Sequence, residues 1–225
     1  RANRDAAMQV AAAPARDGVR RLVFVSTIKV LGEATFGRPF TPGDRPAPQD
    51  AYARSKAAAE SDLLEFADRT GLEVAVIRPV LVYGRGARGN LARLMMAVQR
   101  GIPLPLASIR NRRAMVSLDA LGDLLLLAAS RPEPTIGIWH AADLAPISTV
   151  ETVRAIAAGM QRRAPLVPVP LAVLRGLATL TGRRAALARL TDSLEVDAAT
   201  SVAEFGWRQA ARPHEGLIAM AAGFR

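Results

Sequence analysis

The sequence predicts an α/β fold built on a parallel sheet, on three observations. Two short, β-branched apolar runs stand out, RLVFVS at Arg21 to Ser26 and LEVAVIRP at Leu72 to Pro79. Such runs suit strands buried on both faces of a parallel sheet. The segments between and after them repeat apolar residues at helical spacing. The two kinds of segment alternate along the chain, which is the order that βαβ units require.

Element by element, residues 2–17 are Ala-rich with helical spacing through Ala6, Val10 and Ala13, and Asp17-Gly18 closes them with a turn signal. The first strand follows. Residues 34–50 hold Pro39, Pro42, Pro46 and Pro48 and form a long loop, of the kind that usually carries function. Ala51 to Arg69 reads as a helix ended by Thr70-Gly71, and the second strand comes next. Asn90 to Arg100 is helical and stops at Gly101. Met115 to Leu118 is extended, Asp119 to Ser130 helical, and Ile136 to Ala141 extended. Ser148-Thr149 opens a further helix, with Thr149 and Thr152 or Ser148 and Glu151 as capping pair. The remainder is mostly helical, punctuated by Pro165, Pro168 and Pro170, and reads as a smaller lobe.

Composition excludes several kinds of chemistry. The chain of 225 residues has no cysteine, which removes disulfides, thiolate metal sites and cysteine nucleophiles. Its two histidines, His140 and His214, are far apart, so no metal site is expected. The longest apolar stretch, around Leu118 to Ala129, is too short for a membrane span and contains Asp119 and Asp123. The net charge of +10 raises the question of nucleic acid. The basic residues are nearly all arginines scattered along the chain, and two Tyr and two Trp offer little for base stacking, so solvated helix faces account for them better. No targeting segment is present, and a cytoplasmic protein is expected.

The chemistry concentrates in Tyr52-Ala-Arg-Ser-Lys56. On a helix, residues four apart share a face, so the phenol and the ammonium stand together. The ammonium favours phenolate, which makes Tyr52 a usable general acid or base. With only two Tyr and two Lys in the chain, the spacing would arise by chance roughly 0.02 times. Ser26-Thr27 ends the first strand, where ligands of open α/β sheets bind. Thr27 is placed there to hydrogen-bond a substrate oxygen that Tyr52 protonates or deprotonates. His140 and Asp143, in WHAADLAPIST, and Trp207 read as structural.

RLVFVSTIKVLGE, AYARSKAAAE, VIRPVLVYGRG and NRRAMVSLDAL, in this order, resemble the extended short-chain dehydrogenase/reductases of NAD-dependent epimerase/dehydratase type, and most of all the bacterial nucleotide-sugar (UDP-sugar) 4-epimerases and 4-keto reductases of polysaccharide and cell-surface glycan pathways. The resemblance implies a Rossmann-like doubly wound parallel sheet, present in its C-terminal part, with a small mostly helical substrate-binding lobe. Residues 1–85 would form the half-domain with the catalytic set. Residues 86–225 would form the lobe, interleaved with sheet elements returning over about 114–142. Thr27, Tyr52 and Lys56 would be catalytic, and Lys56 would also hold the nicotinamide ribose of NAD or NADP. Asn3 and Ser26 would line the cofactor cleft, with Pro79, Val80 and Val82 as the wall near the nicotinamide. Asn90, Arg112, Arg113 and Arg189 would hold the sugar-nucleotide diphosphate, a task that suits the bidentate fork of arginine. A homodimer through the Tyr-Lys helix would also follow.

The family's dehydratases carry Asp-Glu after the catalytic Thr. Here Ile28-Lys29 stands there, which sets dehydration aside. The family's Gly-rich pyrophosphate turn does not precede Asn3, so roughly a hundred upstream residues are expected. Gly84-Arg-Gly86-Ala-Arg-Gly89 matches the same pattern but lacks the acidic residue about twenty positions on, and it is not taken as the dinucleotide fingerprint. The alternatives are a catalytically silent relative, or an inactive fragment, and a basic nucleic-acid-binding protein.

Overall fold

A computed structural model describes Ala11, residues 19–209 and residues 213–224. The helix expected over residues 2–17 lies outside them apart from Ala11. Strands β1 (Arg21–Val25), β2 (Glu73–Pro79) and β5 (Gly137–Ala141) form a parallel sheet in the order β1-β2-β5. Strands β3 (Leu81–Tyr83) and β4 (Met115–Ser117) pair in parallel as a second, two-stranded sheet. All seven residues of β2 are buried, the apolar Val74–Ile77 between the charged Glu73 and Arg78, as befits a central strand covered on both faces; β1, expected to be buried likewise, is an edge strand and only partly buried. Sequence reading missed β3. It begins one residue after β2 ends, so the apolar run VIRPVLVY crosses from one sheet to the other without a turn signal.

The helices are α1 (Ala51–Thr70), α2 (Asn90–Gln99), α3 (Leu118–Ser130), α4 (Thr149–Gly159), α5 (Leu171–Leu180), α6 (Arg184–Thr191), α7 (Ala199–Phe205) and α8 (Pro213–Ala222). Helix α1 starts where the Asp50 carboxylate accepts the amide of Ala53 at 2.7 Å, and it ends on Gly71 at φ +73°, a left-handed cap that glycine adopts without strain. Its buried residues, Ala53, Ala59, Glu60, Leu63 and Ala67, lie on one face against the sheet. Of the two capping pairs read for α4, the structure uses Ser148 and Glu151: each side chain satisfies the other's backbone amide. Thr149 instead donates its hydroxyl to the Leu190 carbonyl.

The two largest core clusters lie around the sheet and α3, and between α2, α4 and the C-terminal helices; a smaller one packs α1 against β2. Gly159 lets α4 and α8 touch, since a Cβ there would lie 2.3 Å from the Ile218 carbonyl oxygen. Trp207 is buried and donates its indole N–H to the Ala120 carbonyl. Asp143 accepts the Tyr83 hydroxyl at 2.7 Å, and burial with that carboxylate pushes the Tyr83 phenol well above its ordinary value.

His140 on β5 is fully buried, with Nδ1 3.1 Å from the Asp197 carbonyl oxygen and no partner for Nε2 among the described residues. Burial, reinforced by the Arg78 guanidinium, lowers its pKa from 6.5 to about 4. The unfolded chain therefore takes up this proton first. Stability is complete above about pH 6.5 and falls by roughly 3 kcal/mol as pH drops through 4. Urea unfolding at steps from neutral pH to pH 4 should show this slope, and His140→Asn should flatten it.

Candidate active site

The first turn after β1 fixes one wall of a cavity. Thr27 has extended backbone and caps a 3-10 turn, Ile28–Val30, accepting the Lys29 amide on its hydroxyl at 3.4 Å. Ile28 is buried, so the turn is anchored in the core and Thr27 and Lys29 face the cavity. Tyr52, in the first turn of α1, is 48% exposed and faces the same space. The cavity measures about 300 Å³ and lies beyond the carboxyl ends of β1 and β2. Ligands of open α/β sheets bind there because the strand ends and helix N-termini converge.

The structure brings together most of the residues singled out in the sequence. Thr27, Tyr52, Val80, Val82, Asn90, Arg113 and Arg189 all line this one cavity. They come from segments up to 162 positions apart. Arg113 is held by backbone pairing with Ile147 on both sides and donates to the Asp192 carbonyl at 3.1 Å. Burial lowers its pKa, against the opposing effect of Asp192 and Glu33. The Gly-rich segment 84–89 leads into α2, whose first residue is Asn90, so it stands on the side of this cavity.

Lys56 stands one turn beyond Tyr52, outside the cavity wall. Its ammonium donates to the Val25 carbonyl at 2.9 Å and lies 4.5 Å from the centre of the Phe24 ring. Burial lowers its pKa, opposed by Glu60 on the next turn. Ser26 is buried, and its hydroxyl has no partner among the described residues. Pro79 is the last residue of β2, beside the cavity residue Val80.

Two further residues singled out in the sequence are not among those that line the cavity. Arg112 is outside the cavity: neighbours in extended chain point to opposite sides, and where Arg113 turns inward the Arg112 guanidinium turns out to solvent and pairs with Glu195 at 2.7 Å. Asn3 lies outside the described residues.

Sequence reasoning missed a charged cluster. The Lys29 ammonium lies 2.9 Å from both the Glu33 and the Asp50 carboxylates, and Glu33 pairs in turn with Arg189 at 2.9 Å. Partial burial pulls the Lys29 pKa down, but the bonds to Glu33 and Asp50 outweigh it and leave the ammonium above its usual range. Burial would raise Glu33, but the bonds from Arg189 and Lys29 hold it low. Asp50 is the cap of α1, so Lys29 ties the Thr27 turn to the helix that carries Tyr52. The available signal was the rarity of lysine in an Arg-rich chain, with Glu33 four residues on.

The profile of the NAD dependent epimerase/dehydratase family matches residues 1–137. A UDP-glucose 4-epimerase from Vibrio cholerae is 37% identical over 209 residues, which cover 92% of this chain and 64% of that protein. The chain thus spans somewhat under two thirds of that relative's length. Among solved structures, MoeE5 in complex with UDP-glucose and NAD superposes with a TM-score of 0.75 at 24% identity, over 97% of this chain and 69% of that one. The Thermus thermophilus UDP-glucose 4-epimerase in complex with NAD gives 0.73 at 23% identity, over 96% and 68%. At such identities these two show the fold, a Rossmann-like α/β arrangement. On the profile match, the chain belongs to the NAD-dependent epimerase/dehydratase family of extended short-chain dehydrogenase/reductases.

Proposed function

We propose that the complete protein is an NAD(P)-dependent nucleotide-sugar 4-epimerase or 4-keto reductase. The observation that carries this reading is the single cavity with a hydroxyl pair, Thr27 and Tyr52, and two arginines, Arg113 and Arg189, on its walls. A sugar diphosphate has the same two needs: a proton relay at a ring oxygen and cations for its phosphates. The UDP-glucose 4-epimerase from Vibrio cholerae, 37% identical, supports the same choice of substrate.

The residues fit the nicotinamide end of the cofactor. The buried Ser26 hydroxyl lacks a partner, Lys56 sits where it can reach a ribose beside Tyr52, and Pro79-Val80 offers a flat apolar wall. When bound, the nicotinamide supplies hydride acceptance and return. Tyr52 takes the proton from the sugar C4 hydroxyl and later restores it, and Thr27 orients that oxygen by hydrogen bonding. Asn90, Arg113 and Arg189 hold the nucleotide diphosphate, while Val80 and Val82 exclude water beside the reacting carbon. In this reading residues 1–85 complete a cofactor-binding half-domain, and residues 86–225 form the substrate lobe with 114–142 returning to the sheet.

The test is turnover of UDP-glucose and of a UDP-4-keto sugar by the complete protein, followed by NMR. A C4-inverted product without net cofactor consumption identifies an epimerase, and stoichiometric NAD(P)H consumption a reductase. No turnover of either, with no UDP binding, would overturn the proposal. Arg113→Met should raise KM about 10–100-fold, the range for losing a charged hydrogen bond, while Arg112→Met should leave it within about twofold.

A further inference from the structure

The net charge of the chain is unevenly placed. Between Glu151 and Asp192 there is no acidic residue, yet seven arginines occur there, so these forty positions hold seven of the ten net positive charges. Arg162, Arg163, Arg183 and Arg184 are exposed, and none makes an ion pair with a described residue; Arg184 bonds only the Thr179 hydroxyl.

The same stretch contains a helix that is apolar on two sides. In α5, Leu174 and Ala178 are buried against the lobe. Val173, Leu177 and Leu180 are 50%, 55% and 85% exposed. Their i, i+4, i+7 spacing gathers them into a second stripe, turned to solvent. Packing a globular helix requires one stripe, so the second has no partner within the lobe.

We propose that α5 and its flanking arginines form a docking surface for an anionic phospholipid membrane. Arginine pairs before and after the helix meet headgroup phosphates while Val173, Leu177 and Leu180 enter the acyl boundary. No described helix is long and apolar enough to cross a membrane, so the mode is adsorption rather than spanning. Charge complementarity selects this occupant. A second copy of the same surface would set like charges against each other. Nucleic acid would find no aromatic residue in the segment to stack its bases, and would leave the leucines facing phosphate. The inference is independent of the catalytic reading.

The experiment is co-sedimentation of the complete protein with vesicles of phosphatidylglycerol and phosphatidylcholine in equal parts, against phosphatidylcholine alone, at low and high salt. Binding is expected only with phosphatidylglycerol and should weaken with salt. Arg162→Glu/Arg163→Glu and Leu177→Glu/Leu180→Glu should each lower the bound fraction roughly tenfold or more, with unchanged melting temperature because all four residues lie at the surface. If a glutamate variant melts lower, Leu177→Ser/Leu180→Ser replaces it. Wild-type protein left in the supernatant would overturn the proposal. So would leucine variants that pellet like wild type, since diffuse charge would then explain binding. A fall in native mass in the leucine variants would assign the stripe to a contact between copies, and DNA binding that vesicles do not compete would assign the arginines to nucleic acid; either would overturn it.

Discussion

Tyr52→Phe is expected to lower kcat of the complete enzyme by about 10²–10⁴-fold, the range contributed by a positioned general acid or base. The substitution removes one oxygen from a side chain that is half exposed at the cavity, so neither packing nor the backbone of α1 should change. In the proposed reading other groups, Arg113 and Arg189 above all, bind the substrate, and KM should move by less than about threefold. The two readouts together separate a chemical role from a structural one. A general loss of fold would lower the melting temperature and raise KM as well. A Phe variant within about threefold of wild type in kcat would dismiss Tyr52 as the proton carrier and favour a catalytically silent relative.

How much of this site was legible in the sequence depends on how local the determining interaction is. The Tyr52–Lys56 pair needs only the helical repeat. Asp50 and Gly71 bound its helix by the ordinary capping rules, so α1 begins on the expected residue and ends within one. Strand β2 was equally clear, because burial on both faces favours an apolar run such as Val74–Ile77; β1 was found by a similar run, although as an edge strand it is only partly buried. What the sequence left open is non-local. Strand β3 has three residues and exists because β4, more than thirty positions on, lies beside it. Arg112 and Arg113 look alike in sequence, and only the pairing of Arg113 with Ile147 decides which guanidinium turns inward. The Lys29–Glu33–Arg189 cluster joins segments 156 positions apart. Lys29 was read for what it lacks, an acid for dehydration, and its link to the cap of the helix that carries Tyr52 appeared only in three dimensions.

Breaking the buried pair between Arg78 and Glu60 should cost about 3–5 kcal/mol, the largest stability effect expected here. Arg78 on β2 and Glu60 on α1 are 2% and 4% exposed at the side chain, and the guanidinium meets the carboxylate at 2.6 Å and 3.0 Å. Glu60→Leu leaves a guanidinium in the core with only the distant Pro42 carbonyl, at 3.4 Å. Arg78→Met leaves the carboxylate uncompensated. The double variant removes both charges and should recover most of the loss, because desolvation of two ions cancels much of their attraction. Urea unfolding of the four proteins measures the cycle. A double variant as unstable as the sum of the two would mean that the side chains act separately. The pair also bears on the site. Tyr52, Lys56 and Glu60 follow one another at four-residue intervals on a single face of α1. Arg78 pins the inner end of that row to the central strand, while Lys56 bonds the end of β1. Arg78 also lies opposite His140 in the β2–β5 register and contributes to its lowered pKa. Arg78→Met should therefore let His140 titrate closer to its ordinary value, shifting the acid unfolding slope toward lower steepness. The face of α1 that carries Tyr52 and the buried, acid-sensitive His140 are thus linked through one guanidinium.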